Sequence, residues 1–427
     1  MGSASQAKRL RPDLDVVAFE RGAYTSYAAC GLPFLVGDEV ESIGHLVART
    51  PEEHRRQGID ARLHHEVTSI DLDRRVVTAR DLDNDRDVEE RFDQLVIGTG
   101  ARALRPPLPG IDLPFVWGVA TLSDGRALLA EAERRRCQNV VVVGGGYIGL
   151  EMAEAFKRWG ADVTVVEAGE QVMGSLDADM AQLVVDAMQR LAIPVRTGVS
   201  VTGFEPGTVL TDDGPLTAEV VVLGMGVTPN SELARDAGIE LGARNAVRVD
   251  DHQRTSAEGV WAAGDCCDSF HRVSEQRVHI ALGTVANRQA RVAGMCIGGA
   301  ETSFPGVIGT AVTRVCETEI GRTGLNEDEA RRAGLEFRTA TIESTTRASY
   351  YPGTAPITVK MLVEAGTRRV IGGQIVGGAG AAKRIDTVAA AVWNEMTAEE
   401  VVNLDLSYAP PFSPVWDPVQ TAARQLV

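Results

Sequence analysis

The run "NVVVVGGGYIGLEMAEAFKRWGADVTVVEAGEQVM" (139–173) constrains the fold more than any other stretch of this sequence. Four successive valines, Val140 to Val143, read as a buried parallel strand. Gly144, Gly146 and Gly149 follow in G-x-G-x-x-G spacing, and a helical stretch then leads to a second strand ending at Glu167. In such a unit the first glycine makes a tight turn, the second lets backbone approach a pyrophosphate, and the third lets helix pack on strand. Tyr147 and Ile148, between the second and third glycines, open the helix whose N-terminal amides face the phosphates. Glu167 is placed to accept hydrogen bonds from an adenosine ribose, and its charge would repel a 2′-phosphate, which favours NADH while leaving NADPH possible.

The start of the chain reads as the tail of a second such unit. "SASQAKRL" is expected to be helical, "RPD" a turn, and "DVVAFE" a strand ending in an acid, Glu20. Glu167 stands 23 residues after Gly144, and the same spacing counted back from Glu20 runs off the start of the sequence. The first strand and its glycine loop are therefore expected to be missing from this unit. Two further segments, "FDQLVIGTGAR" (92–102) and "GVWAAGDCCD" (259–268), each read as a short strand entering a small-residue turn, the second at Asp265.

These pieces together resemble the FAD- and NAD(P)H-dependent disulfide oxidoreductase family, and the resemblance covers essentially the whole chain. It implies an α/β fold with two Rossmann-like nucleotide-binding domains, glutathione-reductase-like, and an α+β dimerisation domain at the C-terminus. The FAD domain is expected at 1–108 and 231–303, the NAD(P)H domain at 109–230, and the dimerisation domain at 304–427. By position, Glu20 would hold the FAD ribose, and Thr99, Gly100 and Ala101 would line the cofactor. Asp265 would hold the ribityl hydroxyls, and Asn287 would lie on a helix near the isoalloxazine.

Six cysteines (30, 137, 266, 267, 296, 316) are scattered without C-x-x-C spacing, which argues against structural zinc and against a secreted disulfide framework. Most two-cysteine members of the family carry their redox pair as C-x-x-x-x-C. Here Cys30 is followed at that spacing by Leu35, so one thiol must work through a mixed disulfide, a persulfide or a sulfenic acid. Pro33 suits a first helical turn. Cys30 is thus expected at a helix N-terminus, where the dipole would lower its pKa. Cys266 and Cys267 read as structural and poorly placed to pair with each other.

"SYAACGLP" (26–33) resembles coenzyme A disulfide reductases within the single-cysteine branch. That resemblance implies coenzyme A as substrate or mixed disulfide. It also implies a homodimer in which Tyr350 and Tyr408 of the partner subunit, with Tyr351 an alternative to the first, reach the cysteine and act as general acids. Gln6, Arg9 and Ser26 match positions that contact coenzyme A, and Lys8 and Arg11 would complete a basic patch. NADH oxidase and persulfide or polysulfide reductase are the enzymatic alternatives. A flavin-free NADH-binding dimer that has lost catalysis is the alternative of another class.

With 43 Lys and Arg against 59 Asp and Glu, the net charge of −16 disfavours a nucleic-acid surface. No apolar run reaches the length of a membrane span and no leader is evident, so a cytoplasmic location is expected. His64 and His65 are adjacent rather than helically spaced, and no metal site is expected. "ERRRC" (133–137) reads as a solvated helix end.

Overall fold

The computed structural model describes residues 1–135 and 137–427; Arg136, within the "ERRRC" segment, falls outside the described residues. The fingerprint region forms a parallel sheet in the order Val116–Gly118, Val220–Leu223, Asn139–Val143, Asp162–Glu167, Val195–Thr197. The strand period sorts its valines onto two faces. Val140, Val142, Val163, Val165, Val220 and Val222 point into one core with helices Tyr147–Arg158, Ala178–Arg190 and Leu122–Arg135. Val141, Val143, Val166 and Val221 point into a second, closed by Phe204 and Val209 of a small antiparallel sheet. Both faces are covered, as a parallel sheet requires.

The first nucleotide unit is built differently. Val16–Glu20 pairs in parallel with Ile59–Leu63, and Leu95–Ile97 with Val260–Ala262, but the two pairs are separate sheets. Every residue of Val16–Glu20 is half-exposed, whereas Val140–Val143 are buried. The helix Gly2–Leu10 packs closely on Gly283–Ile297: a Cβ at Gly294 would sit 2.4 Å from the Ser3 carbonyl oxygen.

Beyond residue 304 the chain forms a five-stranded antiparallel sheet, ordered Ala311–Val315, Thr318–Gly324, Val370–Gly377, Pro356–Glu364, Phe337–Thr345. Helices Ala381–Trp393, Ala398–Val402 and Pro418–Arg424 share its core. A charged knot ties this sheet to the fingerprint unit. Buried Lys360 lies 3.1 Å from Asp177, 2.9 Å from Asp179 and 2.7 Å from Glu327. Burial alone would lower its pKa, but the three carboxylates together drive it up. Among the described residues, no helix is long and apolar enough to cross a membrane.

Candidate active site

Cys30 lies in a one-turn 3₁₀ segment, Ala29–Gly31, immediately before the short helix Leu32–Val36. The residues beside it have packing reasons. A Cβ on Gly31 would lie 2.2 Å from Leu46 Cδ2, so a side chain here would have to displace the tip of Leu46. Pro33 occupies the first turn of the helix, where a missing N–H costs nothing. Leu32, Leu35 and Val36 are buried in the same core as the fingerprint helix, which seats the cysteine against the second nucleotide unit.

Ala28, Ala29 and Cys30 are all exposed, leaving an open approach to the sulfur. The expected lowering of the thiol pKa is not found. Burial of the sulfur on its protein side, followed by the charges of Glu151 and Asp265, pushes it up from the ordinary value. The 3₁₀ turn and five-residue helix present too little aligned dipole to offset two carboxylates. Asp265 and Glu151, the latter a residue the sequence reading did not single out, are thus within electrostatic reach of Cys30. Glu151 stands two positions after Gly149, and burial raises its pKa against the hydrogen bond donated by Thr313 Oγ1. Its signal was its place on the fingerprint helix; its contact with Thr313 of the C-terminal sheet is tertiary.

The fingerprint loop is fixed by sterics and by Glu167. Gly144 adopts φ +106°, and a Cβ on Gly149 would lie 2.0 Å from the Gly144 oxygen. At Gly146 a Cβ would meet nothing closer than 3.7 Å, so protein packing does not demand that glycine and a close ligand would. Glu167 Oε2 accepts from Gly145 N at 2.7 Å and Oε1 from Gly169 N at 2.8 Å. Tyr147 is half-buried with its hydroxyl accepting from Ser175 Oγ at 3.4 Å, and Ile148 packs beside the core.

Glu20 repeats half of this arrangement: its Oε1 accepts from Gly22 N at 2.6 Å, as Glu167 does from Gly169. Thr99 Oγ1 donates to the Asn230 carbonyl and Asn230 Nδ2 donates to the Thr99 carbonyl. Ala101 pairs with Pro229, locking the T-G-A segment in place. Cβ atoms built on Gly98 or Gly100 would meet nothing within 4 Å. Asp265 is half-buried, makes no side-chain hydrogen bond among the described residues, and has its pKa raised by burial against the pull of His279. An acceptor without a donor beside an open glycine face fits the ribityl hydroxyls of FAD. Glu20 Oε2 accepts no hydrogen bond among the described residues and remains open to a hydroxyl. Asn287 instead turns back to donate to Gly283 O of its own helix at 2.7 Å.

Tyr350 and Tyr408 are brought near each other, and both are exposed, at 74% and 47%. Neither is hydrogen-bonded to Cys30 of the same chain. The basic patch is smaller than expected. Lys8 Nζ donates to the carbonyls of Pro12 and Leu14, and Arg11 pairs with Asp13, because both lie at the turn that ends the first helix. Arg9 remains exposed, 3.4 Å from Gln6 Oε1. Ser26 Oγ lies 3.0 Å from His54 Nε2. Cys266 and Cys267 are buried with their sulfurs 3.6 Å apart, nearer than their adjacency suggested but as free thiols. No cluster of metal-ligating side chains occurs among the described residues. His64 faces Asp83, and His65 begins a strand.

The chain is 39% identical to an NAD(P)H sulfur oxidoreductase (CoA-dependent) of Pyrococcus abyssi, over 100% of this chain and 95% of that protein. It is 27% identical to a coenzyme A disulfide reductase of Staphylococcus aureus, over 96% of this chain and 93% of that one. An NAD-dependent persulfide reductase from A. fulgidus superposes with a TM-score of 0.96 at 37% identity, covering 99% of this chain and 80% of that one. Residues 1–290 match the pyridine nucleotide-disulphide oxidoreductase family and 310–418 its dimerisation domain. With the fingerprint loop, the open glycine face at Asp265 and the exposed Cys30 in place, the chain belongs to the pyridine nucleotide-disulphide oxidoreductases, which use FAD and NAD(P)H.

Proposed function

We propose that this protein takes electrons from NADH and reduces a sulfur–sulfur bond carried by coenzyme A, through Cys30 as its single redox thiol. The observation that carries the reading is Cys30 itself: exposed, within electrostatic reach of Asp265, and followed by a helix packed against the one after the nucleotide loop. Coenzyme A disulfide is the substrate favoured by "SYAACGLP", and a coenzyme A persulfide is favoured by the sulfur and persulfide reductases among the relatives.

In the reaction, thiolate Cys30 attacks one sulfur of the disulfide, forming a protein–coenzyme A mixed disulfide and releasing one coenzyme A thiolate. Two electrons from NADH then cleave the mixed disulfide, so that NADH and one proton convert one disulfide into two thiols. FAD supplies the two-electron relay between nicotinamide and sulfur. Gly144, Gly146, Tyr147, Ile148, Gly149 and Glu167 hold the nicotinamide nucleotide. Glu20, Thr99, Gly100, Ala101 and Asp265 hold the FAD, with Asn287 near its ring.

Gln6, Arg9 and Ser26 contact coenzyme A, and Tyr350 and Tyr408 of the partner subunit protonate the leaving thiolate. Their exposure in a single chain suits residues completed by a homodimer. The division at 108, 230 and 303 follows from these roles. Six free cysteines suit a reducing cytoplasm.

NADH oxidation assayed anaerobically with coenzyme A disulfide, coenzyme A persulfide or inorganic polysulfide, and separately in air with oxygen alone, tests the reading. We expect turnover with the coenzyme A substrates, and loss of about a thousandfold or more in Cys30→Ser. Equal rates in the variant would rule out a thiol mechanism.

A further inference from the structure

His54 is 1% exposed and fixed on a short helix, Pro51–Arg56, held by a reciprocal capping box between Thr50 and Glu53. Its Nε2 lies 3.0 Å from Ser26 Oγ, and its Nδ1 is buried with no partner among the described residues. Burial, foremost, lowers its pKa from the ordinary 6.5, so the ring is neutral at pH 7 and carries one N–H. A proton on Nδ1 would leave a buried donor orphaned, which native proteins avoid more strictly than a bare lone pair. The proton therefore belongs on Nε2, where it donates to Ser26 Oγ.

That assignment fixes what Ser26 does. Its oxygen is already an acceptor from His54, and its own proton has no acceptor among the described residues. Ser26 is half-buried rather than closed off, and a register shift separates it from Tyr27, which packs on the hydrophobic core. The exposed stretch Ala28–Ala29–Cys30 follows directly. Ser26 stands four positions before Cys30, which bounds their distance at roughly 14 Å. The amides of a pantetheine-type arm attached through sulfur to Cys30 fall inside that reach.

We propose that His54 is a positioning residue that holds the Ser26 hydroxyl as a hydrogen-bond donor to an amide carbonyl of the thiol ligand at Cys30. The pair then selects disulfides and persulfides bearing an amide arm over inorganic polysulfide. The inference rests on the reading of Cys30 as a thiol-exchanging residue.

Steady-state kinetics of the holoenzyme with NADH tests it, using coenzyme A disulfide and inorganic polysulfide as separate substrates. His54→Phe, which keeps the volume and loses the donor, is expected to raise KM for coenzyme A disulfide about 3- to 10-fold with kcat little changed. His54→Gln, which restores a donor, should return KM to within about twofold of the wild type. Ser26→Ala should match His54→Phe, and the double variant should be no worse than either single change. None should alter the KM for polysulfide. An equal rise for both substrates, additive effects of the two changes, or no change at all would overturn the proposal. If the wild type turns over neither substrate, the broader reading has failed and calorimetric titration with coenzyme A decides the narrower one. Weaker binding by His54→Phe, rescued in His54→Gln, supports it, and equal binding overturns it.

Discussion

A sulfur that sits beside two carboxylates holds its proton more tightly than a free cysteine does. Cys30 feels two such charges, with its pKa raised by burial and then by Glu151 and Asp265. Because a raised thiol pKa means less thiolate at neutral pH, alkylation of Cys30 by iodoacetamide in the flavin-free protein should climb about tenfold per pH unit between pH 7 and 9. Peptide mass spectrometry, which separates Cys30 from the other five thiols, reads that rate; a plateau reached below pH 7 would show that the thiolate is already formed. The residue type and its single occurrence were legible in the sequence. Its proton affinity was not, because Asp265 is 235 positions away in the chain and Glu151 more than a hundred. The pairing of Ser26 with His54 was hidden for the same reason.

At the scale of elements, the fingerprint strand, loop and helix were legible because each glycine answers a local steric demand. Gly149 shows how strict that demand is. An added Cβ meets backbone, 2.0 Å from the Gly144 oxygen, so the helix can accommodate it only by moving off the loop. Gly149→Ala should destabilise the fold by about 1–3 kcal/mol. It should also weaken NADH binding about tenfold, the effect of roughly 1.4 kcal/mol. At Gly31 the obstacle is the tip of the Leu46 side chain, which can swing aside. Gly31→Ala should therefore cost less than about 1.5 kcal/mol. Thermal unfolding and NADH titration of the two variants check both the magnitudes and their order. The C-terminal unit was legible as an α+β domain, whereas the turn that occupies Lys8 and Arg11 was not legible at all, since only the folded path shows which carbonyls they reach.

Across the whole molecule, stability depends on polar groups at the seams between units. His271 ends the strand Ser269–His271, is 5% exposed, and is bridged to Val307, where the first unit meets the C-terminal sheet. Burial, first of all, lowers its pKa to about 4 against the pull of Glu329. A histidine depressed on folding adds stability that is complete above the ordinary 6.5 and is lost as pH falls toward the folded value. The protein should thus lose about 3 kcal/mol between pH 6.5 and 4 through this residue. His271→Asn, whose carbonyl can replace Nδ1 as acceptor from Ser274 N, should flatten that part of the stability profile. Chemical denaturation at pH 4.5 and 7 gives the comparison, and an unchanged slope in the variant would count against the assignment.

The helix after Cys30 shares one hydrocarbon interior with the helix after the nucleotide loop. A hinge between the two units would have to pull Leu32, Leu35 and Val36 into water, at a cost of several kcal/mol. The nucleotide loop and the sulfur therefore stand on a single chassis, and the traffic of reactants must run along its rims rather than through a gap opened between its halves.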